Sequence, residues 1–172
     1  MAFDSILGNK RAKSILAKSL RRQRLPNSLL FIGPEGVGKG DVALVVAKAL
    51  NCQRKNDDAC EECPSCQAIN RGNFPDVMVL QPENDVHKID QMRILKSSAY
   101  LRPMVGKKRV FIITDSERMR EEAANSLLKI LEEPPSFSHL ILLTSNPYLI
   151  LPTIQSRCQM LQFFPVFKEG GM

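Results

Sequence analysis

Two short stretches of the chain carry side chains whose types and spacing could do chemistry. The first is Gly33-Pro34-Glu35-Gly36-Val37-Gly38-Lys39-Gly40. Gly33, Gly38 and Lys39 occupy the fixed positions of G-x-x-x-x-G-K-[ST], and Gly36 adds a further glycine between them. Such glycines let successive backbone N–H groups turn inward onto phosphate oxygens, and the lysine reaches the β- and γ-phosphates. An apolar run, Ser28-Leu29-Leu30-Phe31-Ile32, precedes the loop and a helical pattern follows it, so the positive end of a helix should complete the cradle. The eighth position departs from the pattern. Gly40 has no hydroxyl to ligate Mg²⁺, the ion that bridges the β- and γ-oxygens and neutralises charge during transfer.

The second stretch is Cys52-x₇-Cys60-x₂-Cys63-x₂-Cys66, four of the five cysteines within 15 residues. Thiolates at C-x₂-C spacing suit tetrahedral Zn²⁺, and a four-cysteine set leaves no open position, which makes a structural site. An iron–sulfur cluster uses similar ligands, and unligated thiols are the plain alternative, but nothing else in the sequence suggests redox work. The segment is short and charged and reads as otherwise unstructured. Metal binding worth about 10–16 kcal/mol is ample to fix such a loop. His87 and His139 are distant in sequence and read as surface or strand-end residues rather than ligands. Cys158 stands alone and reads as a small buried apolar side chain.

An apolar strand, Val110-Phe111-Ile112-Ile113, should lead to the acidic pair that holds the metal and activates water in nucleotide hydrolysis. The chain gives Thr114, Asp115, Ser116 and Glu117 instead. If the strand ends at Ile113, Thr114 replaces the metal-binding Asp and Asp115 the water-activating Glu. If it runs one residue longer, Asp115 holds the metal and Ser116 replaces the Glu. Either register loses or shortens one acidic role, at a cost of several kcal/mol of transition-state stabilisation. The expectation is poor ATP hydrolysis or none, with ATP or ADP bound weakly.

The elements that must position these residues follow from periodicity. Residues 9–23 place Ala12, Ile15, Leu16 and Leu20 on one helical face. Strands are predicted over 28–32, 76–80, 109–114, 139–144 and 161–164, and helices over 41–50, 89–99 and 121–131, the last stopped by Pro134-Pro135. Strands alternating with helices at this spacing imply an α/β fold with a parallel five-stranded sheet covered on both faces. One domain spanning 1–167, interrupted by the cysteine insertion at about 51–70, is the expected organisation.

At 172 residues, 44% hydrophobic and 24% charged, the composition is that of a globular domain. No apolar run is long enough to span a membrane and the start lacks a signal-peptide pattern, so the cytosol is the expected address and a disulfide framework is not expected. The net charge of +6 permits contact with nucleic acid without establishing it. Much of it lies in Lys10, Arg11, Lys13, Lys18, Arg21, Arg22 and Arg24, and in Lys107-Lys108-Arg109. A solvated helix face and a charged turn account for these runs, with acidic partners or a phosphate backbone as the alternative.

Three further stretches carry a family resemblance: Leu127-Leu128-Lys129-Ile130-Leu131-Glu132-Glu133-Pro134-Pro135, Thr144-Ser145-Asn146-Pro147, and Thr153-Ile154-Gln155-Ser156-Arg157-Cys158. With Ile6-Leu7-Gly8, Gly33-Pro34 and the four-cysteine insertion, the chain resembles bacterial clamp-loader AAA+ subunits of DNA polymerase III over nearly its whole length. The resemblance implies a P-loop NTPase (AAA+) core followed, beyond Pro165, by a small lid domain and a collar domain, so the chain reads as an N-terminal fragment with 168–172 as a tail or the start of the lid. It implies that Arg157 is an arginine finger reaching the ATP of a neighbouring subunit, where a planar, permanently charged guanidinium suits the γ-phosphate. Without the resemblance, Arg157 reads as a surface arginine capping a helix or bridging a carboxylate.

Asn146, or the adjacent Ser145, is placed by the same resemblance where a polar sensor meets the γ-phosphate, or else this position serves the turn before Pro147. Gly40 and Thr114-Asp115 favour the delta-prime type, whose nucleotide site is degenerate, over the ATPase gamma/tau type. The implied partners are gamma/tau and delta subunits in a hetero-pentamer that loads a sliding clamp on primed DNA. An active gamma/tau-type subunit is the second reading. A zinc-containing AAA+ adaptor that only binds protein is the third.

Overall fold

In a computed structural model, residues 2–166 are described; the expected boundary at 167 and the 168–172 segment lie outside them. Five parallel strands form one sheet in the order β2-β3-β4-β1-β5: β1 Ser28–Ile32, β2 Val77–Leu80, β3 Arg109–Ile113, β4 Ser138–Thr144 and β5 Gln159–Gln162. The helices are α1 Lys10–Arg21, α2 Lys39–Asn51, α3 Pro64–Asn70, α4 Ile89–Ala99, α5 Glu121–Glu132 and the short α6 Pro152–Gln155, with 3₁₀ turns at Phe3–Ser5, Ser116–Arg118 and Pro147–Leu149.

The central strands β1, β3 and β4 are buried along their whole length, as a parallel sheet covered on both faces requires. Pleating sends alternate residues to opposite layers. Leu29, Phe31, Val110, Ile112, Ile141 and Leu143 pack with α1 and α2, while Leu30, Ile32, Phe111, Ile113, Leu140 and Leu142 pack with α4 and α5. One apolar core therefore lies on each face, and Phe163 closes the first by tilting against Phe31 at 4.9 Å between ring centroids.

Several expectations need correction. The fifth strand begins at Gln159 and ends at Gln162, two residues earlier than periodicity indicates, because its register is fixed by pairing Leu29–Ile32 with Gln159–Gln162 rather than by its own apolar pattern. The cysteine segment is not unstructured: Pro64–Asn70 is a helix, with Pro64 at its first turn and the Cys63 sulfur accepting from Cys66 N–H as its N-cap. His87 is not a surface residue but is buried, with its Nε2 2.5 Å from the Thr114 carbonyl oxygen. His139 does lie at a strand end, but buried. Cys158 is half-buried against the second core, and burial pushes its thiol up to about 12.

Candidate functional site

Because all five strands run parallel, the phosphate loop after β1, Thr114-Asp115 after β3 and the end of β4 share the carboxyl-terminal edge of the sheet, the usual ligand side of such folds. The loop turns directly into α2. Gly38 takes a φ of +94°, a left-handed conformation that β-carbon residues avoid, and a Cβ on Gly33 would lie 2.6 Å from the Phe163 carbonyl oxygen. These glycines are required by the path of the backbone. Gly40 is different: a Cβ there would meet only Leu143 Cδ1, at 4.0 Å. Its missing side chain is not imposed by crowding.

A cavity of about 310 Å³ opens over the loop, lined by Gly36, Gly38, Lys39, Gly40, Thr114 and Asp115 together with Glu35, Asp41, Leu143 and Thr144. The structure thus brings together most of the residues expected from the sequence, and it adds the last four. Gly33 sits at the base of the loop, its N–H donating to the Thr144 carbonyl. Asn146 is not in the lining. Its Oδ1 accepts from Tyr148 N–H and caps the 3₁₀ turn at Pro147–Leu149, the turn role of the two considered.

The Lys39 ammonium is folded back into the loop, where it donates to the carbonyls of Gly33, Pro34 (3.3 Å) and Thr144 (3.2 Å). Burial lowers its pKa, opposed by the carboxylates of Glu117, Asp115 and Glu35. Thr144 ties this edge together. Its carbonyl serves Lys39 and Gly33, and its hydroxyl donates to Glu117 Oε1 at 2.7 Å while accepting from Asn146 N–H. Sequence spacing does not mark Glu117 or Thr144: one lies on a 3₁₀ turn past β3 and the other is the last residue of a buried strand.

Strand β3 ends at Ile113, the strand end that the first of the two registers assumes. Thr114 follows it, its N–H donating to the Leu80 carbonyl at 3.0 Å and its hydroxyl to the same oxygen at 3.3 Å. Asp115 follows in the left-handed region at φ 46° and opens the turn at Ser116–Arg118. His87 supports this corner. A carbonyl can only accept, so its Nε2 carries the proton, and its Nδ1 has no hydrogen-bond partner among the described residues.

Arg157 lies outside the cavity of its own chain, just past α6. Its guanidinium donates to Glu132 Oε1 at 2.6 and 3.1 Å and to the Thr153 carbonyl at 2.7 Å, and its side chain stays 31% exposed. A carboxylate-bridging arginine is what the isolated chain displays.

The four cysteines converge at the far end of α2. Their sulfurs all lie within 4.8 Å of one another, with Cys60–Cys66 at 4.0 Å and Cys52–Cys63 at 3.9 Å. Metal–sulfur bonds of about 2.3 Å in a tetrahedron put sulfurs about 3.8 Å apart, so the set fits such an ion, whereas a disulfide needs about 2.05 Å. Backbone amides already face the sulfurs: Arg54 and Lys55 donate to Cys52, Glu62 and Cys63 to Cys60, and Cys66 to Cys63. Burial opposes ionisation of Cys52 and Cys63, yet these amides outweigh it and lower both pKa values, while burial raises that of Cys66. Asp58 accepts from Phe3 N–H, and Lys48 pairs with Glu61, so the module is bolted to the domain on two sides.

A glycine-framed loop between a parallel strand and a helix, with an arginine beyond the last helix, defines an AAA+ P-loop domain carrying a metal-competent Cys₄ insertion. Residues 8–167 match the family described as DNA polymerase III, delta subunit, and the chain belongs to that family. It is 38% identical over 156 residues to DNA polymerase III subunit delta' of Bacillus subtilis, covering 91% of this chain and 47% of that one. It is 36% identical over 162 residues to subunit tau/gamma of Haemophilus influenzae, covering 94% and 23%. The chain therefore spans about half or less of the length of these relatives. Among solved structures, a gamma subunit-related protein of Thermotoga maritima aligns with a TM-score of 0.67 at 28% identity, covering 94% of this chain and 47% of that one. The Holliday junction branch migration motor RuvB of the same organism shares the fold alone, with a TM-score of 0.62 at 17% identity over 96% of this chain and 48% of that one. The delta-prime type, with gamma/tau second, agrees with these matches.

Proposed function

We propose that this chain is the AAA+ domain of a delta-prime-type subunit of the DNA polymerase III clamp loader, with a nucleotide site that does not turn over ATP. The observation that carries the reading is the pairing of Gly40 with Thr114. The first offers no ligand, and the second donates its hydroxyl to Leu80 instead of presenting a carboxylate to the cavity. Glu35, Asp41 and Asp115 line the same cavity against the single cation Lys39, a charge balance that disfavours a triphosphate. These residues do not fit a magnesium site of the hydroxyl-plus-aspartate kind, so no hydrolytic step is assigned to them.

Arg157 is the group offered to another subunit. In that role it exchanges Glu132 for the γ-phosphate held by the neighbour, and its permanent charge stabilises the charge that develops there. The partners are gamma/tau and delta subunits in a hetero-pentamer acting on a sliding clamp and primed DNA in the cytoplasm, by analogy with the relatives' names and the family resemblance. The four thiolates hold zinc, which supplies a fixed tetrahedral cross-link and no reaction.

Titration with ATP and ADP, with and without Mg²⁺, tests the first part: weak binding without turnover is expected, and robust turnover abolished by Lys39→Ala overturns it. In a reconstituted loader, Arg157→Ala should cut the ATPase of the adjoining site by about 10³-fold or more. Unchanged activity removes the finger. The second reading, an active gamma/tau-type ATPase, is favoured by the intact glycine frame and Lys39, and the same titration separates the two.

A further inference from the structure

The amino-terminal edge of the sheet, remote from the phosphate loop, holds a second and larger cavity. Its volume is about 490 Å³, within the range of about 300–1,000 Å³ common to small-molecule sites. The ends of α1 and α2 and the turn before β3 enclose it, and the side chains they supply are of two kinds. Leu20, Leu25, Ala49 and Leu50 make an apolar wall, whereas Lys55, Lys107 and Lys108 bring cations. No aspartate or glutamate is among its lining residues.

Lys107 and Lys108 are held in place twice over. Asn51 Oδ1 accepts from both of their backbone N–H groups, at 2.8 and 3.0 Å, and their ammonium groups donate to the Cys52 and Ser136 carbonyls at 2.7 and 3.1 Å. Gly106 is required for this turn, because a Cβ there would collide with Asn51 Oδ1. An ammonium has three donors, so each lysine keeps two after its carbonyl is served. Capping the negative end of α2 accounts for the bond from Lys107. It does not account for cations gathered round one cavity with no acid in its lining.

Two neutral groups at the same cavity also have hydrogen-bonding capacity to spare. His139 is buried, with its Nδ1 3.2 Å from the Pro26 carbonyl. A carbonyl can only accept, so the proton sits on Nδ1, and Nε2 keeps a lone pair with no partner among the described residues. Burial, with Lys108 contributing, lowers the ring's pKa to about 4, so it is neutral at pH 7. Gln23 follows the C-cap of α1 in the left-handed region at φ 55°, where glycine is the usual residue. Its side-chain amide makes no hydrogen bond among the described residues. A side chain kept where glycine is favoured, on a cavity wall, breaks a local rule as binding sites do.

The charge of the lining excludes a metal ion, and a bare inorganic anion would leave the apolar wall against water. We infer that this cavity binds a small aromatic anion, with its rings against Leu20, Leu25 and Leu50, its phosphate, sulfonate or carboxylate group at Lys107 and Lys108, and an N–H or O–H donor towards His139 Nε2. The site is separate from the phosphate loop, and the inference does not depend on the proposed function.

The test is a fluorescence titration of the 172-residue chain, without nucleotide, by two matched probes, with backbone amide chemical-shift mapping of the complex. Anilinonaphthalene sulfonate carries the rings, the N–H and the anion; phenylnaphthylamine carries the same rings and N–H without the sulfonate. Saturable one-to-one binding of the sulfonate is expected, with shifts centred on Leu20, Leu25, Leu50 and His139, and the neutral probe should bind about tenfold more weakly or worse. The variant Lys107→Gln, Lys108→Gln should bind the two probes alike. Glutamine can still donate to both carbonyls, and circular dichroism checks that the fold is kept. Should the double variant lose structure, Lys108→Gln alone leaves the α2 cap intact and should reduce the preference about threefold. Equal binding of the two probes by the parent makes the cavity a merely apolar hole and overturns the inference. Shifts centred on the phosphate loop or on the exposed Leu101, Met104 and Val105 also overturn it. So does displacement of the probe by a short peptide of glutamate and phenylalanine at equal concentration, which assigns the cavity to an acidic protein segment. No binding of the sulfonate by the parent refutes it outright.

Discussion

At the carboxyl-terminal edge of the sheet, the backbone is bent through left-handed glycines around a cavity, and Lys39 satisfies itself on carbonyls of its own loop. At the opposite edge, buried charge is fully engaged. Asp76 accepts from the N–H groups of Met104, Val105 and Gly106 at 2.6–2.8 Å and lies 3.9 Å from Arg109. Asn51 Oδ1 accepts from Lys107 and Lys108 N–H, and the Cys₄ module hangs from the same end of α2. One edge keeps groups in reserve and the other consumes them. The difference teaches how the two edges are coupled: α2 runs from one to the other, so the edge whose buried polar groups are engaged holds the phosphate-loop edge in place.

The sharpest way to break the comparison is at the module. Chelation of the metal, or Cys63→Ser, should destabilise the chain more than any change at the phosphate loop, because binding energies on the order of 10 kcal/mol are at stake. Thermal unfolding with and without chelator, beside a metal assay expecting one equivalent of zinc, measures it. A chain indifferent to chelation would invert the assignment of strength to this edge.

Asp76→Ala should come next, costing about 3–5 kcal/mol in urea unfolding, since it strands three amide donors and leaves Arg109 buried without its partner. The amides and Arg109 outweigh burial and hold the Asp76 carboxyl below its ordinary range.

His139 sharpens the comparison through pH. Burial, with a contribution from Lys108, depresses its pKa to about 4 from 6.5, while the Pro26 carbonyl opposes this. The unfolded chain therefore binds a proton that the folded chain refuses between those values. Stability from this group is whole above about pH 6.5 and is lost as pH falls towards 4, by about 3 kcal/mol at most. Urea titrations at pH 7 and pH 5 should show the fall in the parent and a smaller one in His139→Gln.

The smallest effect is expected at Gly40→Ser. The site has room for a side chain, and removing a glycine from the first turn of a helix should add about 0.5 kcal/mol or less of stability. The informative readout is calorimetric ADP binding with Mg²⁺. A gain of severalfold would mean that the loop lacks only its hydroxyl, whereas no gain would place the main loss at Thr114.

Much of this was legible before any coordinates. The alternation of apolar runs and helical patterns specified a parallel α/β sheet, because a strand buried on both faces must be continuously apolar. The phosphate loop and the four thiols were legible because their chemistry demands fixed spacing within a few residues. Their neighbours were not. Glu117 and Thr144 meet through a turn and a strand end 27 residues apart, and no periodicity connects them. The helix Pro64–Asn70 is too short to show a repeat and depends on the Cys63 cap. His87 reads as a surface or strand-end residue until the Thr114 carbonyl is placed against it.

By itself the sequence determined which chemistries were available: a phosphate cradle with no hydroxyl at Gly40, a closed four-thiol set, and an arginine past the last helix. Only the tertiary structure decided where β3 stops. That single register turned Thr114 towards Leu80 and carried Asp115 to the cavity wall. The reason is physical: residue types and local spacing are written along the chain, whereas the end of a strand is set by the strands it pairs with, and those are distant in sequence.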